Sequence, residues 1–116
     1  MAIDVPLVID QTVGQAPGTR ILTLEGPLTL RNLFELQTIL RSGELPKLSI
    51  LDLSGVPYMD SAGMGLVINH YVHCQNHDST MVAVGVSTRV LELFKMTKVD
   101  SIIRIAPSVE VAEAGG

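Results

Sequence analysis

The chain has 116 residues, a length that suits one compact domain around a single hydrophobic core. Hydrophobic residues make up 47% of it and charged residues 17%, a balance that excludes a disordered chain. The formal net charge of −4 and the absence of Trp argue against nucleic-acid binding, which uses basic surfaces and aromatic stacking. We therefore expect one domain over residues 1–116, folded from about residue 4 to residue 110, with a frayed C-terminal tail.

The cysteine content and the N-terminal residues both bear on the cellular compartment. Cys74 is the one cysteine and cannot form an internal disulfide, and the N-terminus lacks the basic and apolar regions of a secretory signal. Charged or polar residues interrupt every apolar run before it reaches the roughly 18 residues of a membrane span. These features favour a cytoplasmic protein without membrane insertion.

Two β-rich runs, Val5–Val13 and Arg20–Glu25, begin the chain, and the loop-type residues between them predict an antiparallel pair. Helical spacing of apolar residues follows and ends at Ser42-Gly43, where glycine can close a helix. The apolar residues of this first predicted helix are Leu30, Leu33, Phe34, Leu36, Ile39 and Leu40.

Strands and helices then alternate to the end of the chain. The short apolar run Leu48–Leu53 predicts a strand buried inside a sheet. The further predicted elements are a helix from Asp60-Ser61 to about His77, a strand Met81–Val84, a helix from Ser87, a strand Ile102–Ile105 and a short helix after Pro107. This order predicts an α/β fold, with a mixed sheet of four to five strands packed against three to four helices.

The turn Asp60-Ser61 lies where a strand ends and a helix begins, which is the usual functional edge of such a sheet. N–H groups at a helix start lack intrahelical partners and the helix dipole favours negative charge there, so a phosphate on Ser61 would be stabilised. Gly63 and Gly65 would let a phosphate or a partner approach closely. The alternative interpretation is structural: Asp60 caps the helix and Ser61 is a neutral first-turn residue.

The run Leu51–Gly65, which contains Asp-Ser-Ala-Gly-Met-Gly, resembles the central motif of the STAS-domain (anti-sigma-factor antagonist) family. The run Val90–Thr97 is similar to the third-helix motif of the same family, which ends in Leu-Phe. With the order of elements, the resemblance covers the chain from about residue 4 to residue 110.

The resemblance implies a non-enzymatic switch without a cofactor or metal. An anti-sigma factor that is also a serine kinase would phosphorylate Ser61, and a separate phosphatase would reset it. The unphosphorylated form would sequester the anti-sigma factor and so release a sigma factor, with the chain a monomer or weak dimer. The implied partner-binding residues are Thr29, Asp60, Ser61, Ala62, Gly63 and Met64. The alternative within the family is a STAS subunit of a lipid transporter or of a stress-signalling assembly.

Two positions depart from the family pattern. Thr29 stands where many members carry an acidic residue in a loop that faces the kinase, which weakens the expectation of a standard kinase partner. Lys98 stands where a helix-ending glycine is common, which should cost about 1 kcal/mol if the backbone there is left-handed.

Two other interpretations use the histidines of the second helix. His70, His73, Cys74 and His77 recur at helical spacing and could share a face for a transition metal. We expect the buried arc of this helix to centre on Met64, Val67, Ile68 and Tyr71, which places the histidines on the solvated face. A hydrolase with Ser61 as nucleophile is disfavoured, because the nearest of these histidines is about 13 Å further along the helix.

Overall fold

The computed structural model describes residues 6–115, in which strands and helices alternate after an initial pair of strands. The strands are β1 (Val8–Val13), β2 (Thr19–Glu25), β3 (Leu48–Gly55), β4 (Thr80–Val84) and β5 (Arg104–Ala106). The helices are α1 (Phe34–Arg41), α2 (Ser61–Asn76), α3 (Thr88–Met96) and α4 (Val109–Glu113), with a 3-10 turn at Val99–Ser101. The predicted α/β class and order of elements are confirmed, while Val5 lies outside the described residues.

The five strands form one mixed sheet in the order β1-β2-β3-β4-β5. β1 and β2 are antiparallel, as predicted, and each later pair of neighbours is parallel. Because parallel neighbours end at the same edge of a sheet, the loops after β2, β3 and β4 gather there. The turn Asp60-Ser61 follows β3 at this edge.

The sheet has a thick side and a thin side. On the thick side α1, α2 and α3 enclose the larger hydrophobic core, whose fully buried members include Leu22, Leu24, Leu36, Leu51, Leu53 and Phe94. On the thin side the apolar residues of β3, β4 and β5 pack with Ala112 of α4. Within residues 6–115, no helix is both long and apolar enough to cross a bilayer.

The helix α4 closes the thin side and is tied to the loop between β1 and β2. Ser108 caps α4 by accepting a hydrogen bond from the Val111 N–H (3.2 Å). The Glu113 carboxylate accepts hydrogen bonds from the N–H groups of Gln15 (3.0 Å) and Ala16 (3.3 Å). The short helix after Pro107 was predicted, but its long-range hydrogen bonds to the loop between β1 and β2 were not.

The helix α1 begins later than the apolar spacing predicted. Leu30 lies in the loop before it and is 59% exposed, and Phe34, its first residue, is 61% exposed. Leu36 and Leu40 form its buried stripe, and Gly43 follows with a φ of 71°, the left-handed conformation expected after a helix. The four-residue shift arises because the Leu30 N–H donates to the Asp60 carboxylate and the Asn32 N–H closes a turn on the Thr29 carbonyl, instead of forming helical hydrogen bonds.

The last strand is also displaced from its predicted position, from Ile102–Ile105 to Arg104–Ala106. The 3-10 turn occupies the preceding residues, so Ile102 ends that turn and Ile103 is buried in the larger core before the strand begins. The isoleucines Ile102, Ile103 and Ile105 favour a strand by local preference, but this preference does not determine where the turn ends.

Lys98 has the left-handed backbone that the family pattern suggested for this position. Its φ is 61° and its ψ is 19°, and it joins α3 to the 3-10 turn. A side chain on a left-handed residue brings Cβ too close to the following carbonyl oxygen, which costs roughly 1–2 kcal/mol. The expected strain is therefore present at this residue.

Replacing Lys98 by glycine should raise the free energy of unfolding by up to about 1 kcal/mol, because the relieved strain exceeds the added flexibility of the unfolded chain. Urea denaturation of Lys98→Gly and wild type measures this difference. Lys95→Gly, in the last turn of α3, is the matched control and should lose up to about 1 kcal/mol. Equal or lower stability of Lys98→Gly would contradict the assignment of strain.

Candidate functional site

The loops after β2 and β3 are joined by backbone hydrogen bonds, which position the turn Asp60-Ser61. The Leu28 N–H donates to the Tyr58 carbonyl (3.1 Å), and the Leu28 carbonyl accepts from the Asp60 N–H (3.2 Å). Leu28 and Met59 thereby form an isolated parallel bridge beyond the ends of their strands. Both side chains are buried, so the bridge holds the two loops against the core.

The carboxylate of Asp60 joins the same two loops from the other side. Its Oδ1 accepts a hydrogen bond from the Gly63 N–H (2.9 Å), which caps α2. Its Oδ2 accepts from the Leu30 N–H (3.1 Å) in the loop between β2 and α1. One side chain therefore sets both the start of α2 and the path of the neighbouring loop.

The ionisation of Asp60 is coupled to these contacts. Partial removal from water acts to raise the pKa of this carboxyl, but the hydrogen bonds from the backbone N–H groups of Gly63 and Leu30 lower it below its ordinary value of 3.8. The charged form is the one that accepts both bonds, so the turn is held best when Asp60 is ionised.

Asp60→Ala removes both acceptors, so we expect the free energy of unfolding at pH 7 to fall by about 1–2 kcal/mol. Asp60→Asn keeps one acceptor oxygen and should lose less. Because folding lowers the pKa of Asp60, its contribution is present above the unfolded pKa of 3.8 and is lost as the pH falls through the folded value.

Chemical denaturation from pH 7 down to about pH 2.5 tests this coupling. The stability difference between wild type and Asp60→Asn should shrink towards the acid end, as the Asp60 carboxyl takes up a proton. A difference that stays constant over this range would contradict a role for the charge.

Gly63 is required by the close approach of the Leu28 carbonyl oxygen to α2. A Cβ added at Gly63 would overlap that oxygen, whereas a Cβ at Gly65 would meet no atom within 4 Å. The space beside Gly63 is therefore occupied by the chain's own loop. The sequence predicted space for a phosphate or a partner beside both glycines, and the structure has it only beside Gly65.

These two glycines give a matched pair of variants in one helix. Gly63→Ala should destabilise the fold by about 1–3 kcal/mol, because the loop backbone must move away from α2. Gly65→Ala should stabilise it by about 1 kcal/mol through helix propensity alone. Thermal and urea unfolding of both variants measure these changes, and equal effects of the two substitutions would contradict the required contact.

Ser61 is the first residue of α2, and its side chain is exposed, as predicted. N–H groups in the first turn of a helix have no intrahelical acceptor, and the dipole adds partial positive charge there. A phosphoryl group on the Ser61 oxygen would lie beside these groups without any opening of the core. The hydroxyl is thus accessible in the manner that a modification site needs.

The loop that carries Thr29 is shaped by Asn32. The Asn32 Oδ1 accepts hydrogen bonds from the Thr29 N–H (2.8 Å) and the Thr29 hydroxyl (3.3 Å), and the Asn32 amide donates to the Pro27 carbonyl. Thr29 is half-buried and its hydroxyl is already bonded within the loop. At this position, where the family pattern suggested an acidic residue, the chain has a neutral turn closed by side-chain hydrogen bonds.

Exposed apolar side chains occur in the loop bonded to Asp60, in the segment just before the turn Asp60-Ser61, and on α3. Leu30 (59% exposed) donates its N–H to Asp60, and Tyr58 (38%) shares a shallow concave surface with Met96 (81%) of α3. We call Leu30, Tyr58 and Met96 the apolar rim. The Arg89 guanidinium carbon lies 5.0 Å from the centre of the Tyr58 ring. Grouped exposed apolar side chains are typical of protein-binding surfaces.

The six residues that the resemblance assigned to partner binding differ in accessibility. Asp60 and Ser61 are exposed, and Thr29 and Ala62 are half-buried. Gly63 and Met64 are buried, so in this conformation they support the turn from inside. The apolar rim was missed because helical spacing had assigned Leu30 to the buried stripe of α1.

The predicted orientation of the histidines on α2 is wrong for His70. His70 is 4% exposed and Cys74 is fully buried, whereas His73 and His77 are exposed, so the four residues do not share a face. The His70 Nε2 lies 2.9 Å from the Ser49 hydroxyl and 3.6 Å from the Cys74 Sγ. Among residues 6–115, no three His, Cys, Asp or Glu side chains are arranged to hold a metal ion.

The buried polar residues on this side of the sheet are neutral near pH 7. Burial, together with the positive charge of Arg20 and the nearby His73, lowers the pKa of His70 to about 4. Burial raises the pKa of the Cys74 thiol, although a hydrogen bond with Ser79 and the charge of Arg20 act in the opposite direction. His70 is therefore engaged in the core and is not available to Ser61 as a base.

Residues 11–112 match the family model of the STAS domain. The chain belongs to the STAS domain family. Among its relatives, an anti-sigma-B factor antagonist of Listeria monocytogenes is 36% identical over 55 residues, which are 47% of this chain and 48% of that protein. The chain thus spans about half the length of the curated relatives it matches.

Solved structures of STAS proteins share the fold over nearly the whole chain. A candidate anti-sigma factor antagonist of Thermotoga maritima has a TM-score of 0.83 at 19% identity, with 92% of each chain covered. The Bacillus cell fate determinant SpoIIAA in its phosphorylated form has a TM-score of 0.73 at 14% identity, with 94% of this chain and 100% of that chain covered. These likenesses establish the STAS fold of this chain.

Proposed function

We propose that this chain is an anti-sigma factor antagonist, a protein-binding switch controlled by phosphorylation of Ser61. The observation that carries the proposal is an exposed Ser61 at the first position of α2, beside an ionised cap and an exposed apolar rim. In its unphosphorylated form the chain binds and sequesters an anti-sigma factor, which frees a sigma factor for transcription. The role is one of binding, in the cytoplasm, without a catalytic step by this chain.

The relatives support this assignment by name. The Listeria relative, which is 36% identical over the 55 aligned residues, is named an anti-sigma-B factor antagonist. The SpoIIAA structures of the same fold include an unphosphorylated and a phosphorylated form. A phosphorylation-controlled switch at Ser61 is consistent with both.

The surface around Ser61 has the character that such a switch needs. The apolar rim supplies area that a partner can remove from water, while Asp60 and Arg89 supply polar contacts at its edge. Partners of this surface would include an anti-sigma factor with serine kinase activity and a phosphatase that acts on phospho-Ser61. Thr29 is neutral at a position where the family pattern has an acidic residue that faces the kinase. Phosphorylation of Ser61 by the kinase and binding of the anti-sigma factor are therefore tested in separate assays.

Phosphorylation changes this surface without changing the core. A phosphoserine carries about −1.5 to −2 charges at pH 7, and the first-turn N–H groups of α2 offset part of that charge. A docked partner would have to desolvate the remaining charge beside Asp60, which is itself negative. Binding should therefore weaken while the fold persists.

Ser61→Asp should keep the wild-type circular dichroism spectrum but bind the anti-sigma factor at least tenfold more weakly, a change of about 1.4 kcal/mol. Calorimetry with an anti-sigma factor of the kinase type from the same genome measures the affinity. Asn76→Asp adds the same charge at the far end of α2, roughly 22 Å away, and should bind as wild type does. Equal affinities of Ser61→Asp and wild type would mean that Ser61 is only part of the helix cap.

The kinase half is tested by incubation of the wild type with the same anti-sigma factor, ATP and Mg²⁺, followed by mass spectrometry. One phosphate should appear on Ser61, and Ser61→Ala should bind the factor but remain unmodified. Modification of Ser61→Ala to the same extent would place the phosphorylation elsewhere.

A further inference from the structure

A separate cavity of about 340 Å³ lies between α1 and α2 on the thick side of the sheet. Its volume is within the range of small-molecule sites in proteins. It is lined by Gln37, Leu40, Arg41, Leu66, Asn69, His70 and His73. None of these residues belongs to the turn Asp60-Ser61 or to the apolar rim, so the cavity is distinct from the switch surface.

The charge of the cavity wall is opposite to that of the chain. The chain carries a net charge of −4, yet the charged lining residue is Arg41, and no carboxylate of residues 6–115 lines the cavity. Gln37, Asn69 and His73 add groups that can donate hydrogen bonds. A concave, cationic wall with convergent donors suits an anionic ligand.

The buried ring of His70 adds a donor that the protein does not use. Its Nε2 lies between the Ser49 hydroxyl (2.9 Å) and the Cys74 thiol (3.6 Å), both of which can donate a hydrogen bond. In the tautomer with the ring proton on Nδ1, Nε2 accepts hydrogen bonds from both groups. Both hydrogen bonds of the ring within residues 6–115 are at Nε2, which leaves Nδ1 available to a ligand in the cavity that His70 lines.

We propose that the cavity between α1 and α2 binds a small carboxylic acid in its ionised form. The Arg41 guanidinium can take the two carboxylate oxygens in parallel, and the His70 Nδ1–H donates to the same group from the floor of the cavity. Leu40 and Leu66 contact the apolar part of the ligand. A guanidinium also pairs with phosphate, but inorganic phosphate has no apolar part to place against these leucines, so we expect the cavity to favour an organic carboxylate.

The probe for a test is sodium benzoate, whose ring supplies the apolar part. We expect a titration followed by ¹H–¹⁵N spectra of the labelled full chain to shift the amides of Arg41, Asn69 and His73 saturably. Benzylamine and inorganic phosphate, added at the same concentrations, should leave these amides unshifted. The His70 side-chain nitrogens, observed in a long-range ¹H–¹⁵N experiment, should report a protonated Nδ1 that shifts with benzoate.

Arg41→Gln should weaken benzoate binding at least tenfold, because it removes the charge from an exposed residue without disturbing the core. Arg89→Gln makes the same change on α3, outside the cavity, and should bind benzoate as wild type does. Linear shifts without saturation, equal binding by the two variants, or equal shifts by phosphate would each overturn the proposal. The outcome is independent of Ser61, since benzoate binding requires no anti-sigma factor.

Discussion

The carboxylate of Asp60 is the contact on which the geometry of the candidate site depends. One oxygen accepts from α2 and the other from the loop between β2 and α1, so two segments 30 residues apart in sequence are held by one charge. Below it, the bridge between Leu28 and Met59 holds the same segments by backbone contacts. Ser61 and Leu30 owe their positions to this double attachment. These contacts fix the backbone that carries the exposed Ser61 and Leu30.

The order of elements and the start of α2 could be predicted because their signals are local. A short apolar run bounded by loop residues marks β3, and an aspartate before a small-residue turn marks the cap of α2. The buried face of α2 could not be predicted in the same way. Its apolar residues surround the helix, since one side packs on the sheet and another faces α1, so periodicity gave no reason to bury His70.

The candidate site was predictable at Asp60 and Ser61 but not in its surroundings. The approach of the Leu28 carbonyl to Gly63 arises from the pairing of two irregular loops, for which no sequence period exists. Leu30 has helical spacing with the residues of α1, yet the loop pairing keeps it out of the helix and on the surface. Tertiary contacts between loops decided both outcomes, and local propensity carries no information about them.

On the opposite side of the sheet, Glu113 connects the two ends of the described chain. Its carboxylate accepts from amides 97 and 98 residues earlier, so the path of the first hairpin depends on the rotation of a five-residue helix. One residue added or removed within α4 before Glu113 would turn that carboxylate by about 100° around the helix axis. The hairpin would lose its acceptor while α4 kept its own hydrogen bonds. A change in the length of α4 would therefore disturb the loop after β1 rather than the turn Asp60-Ser61.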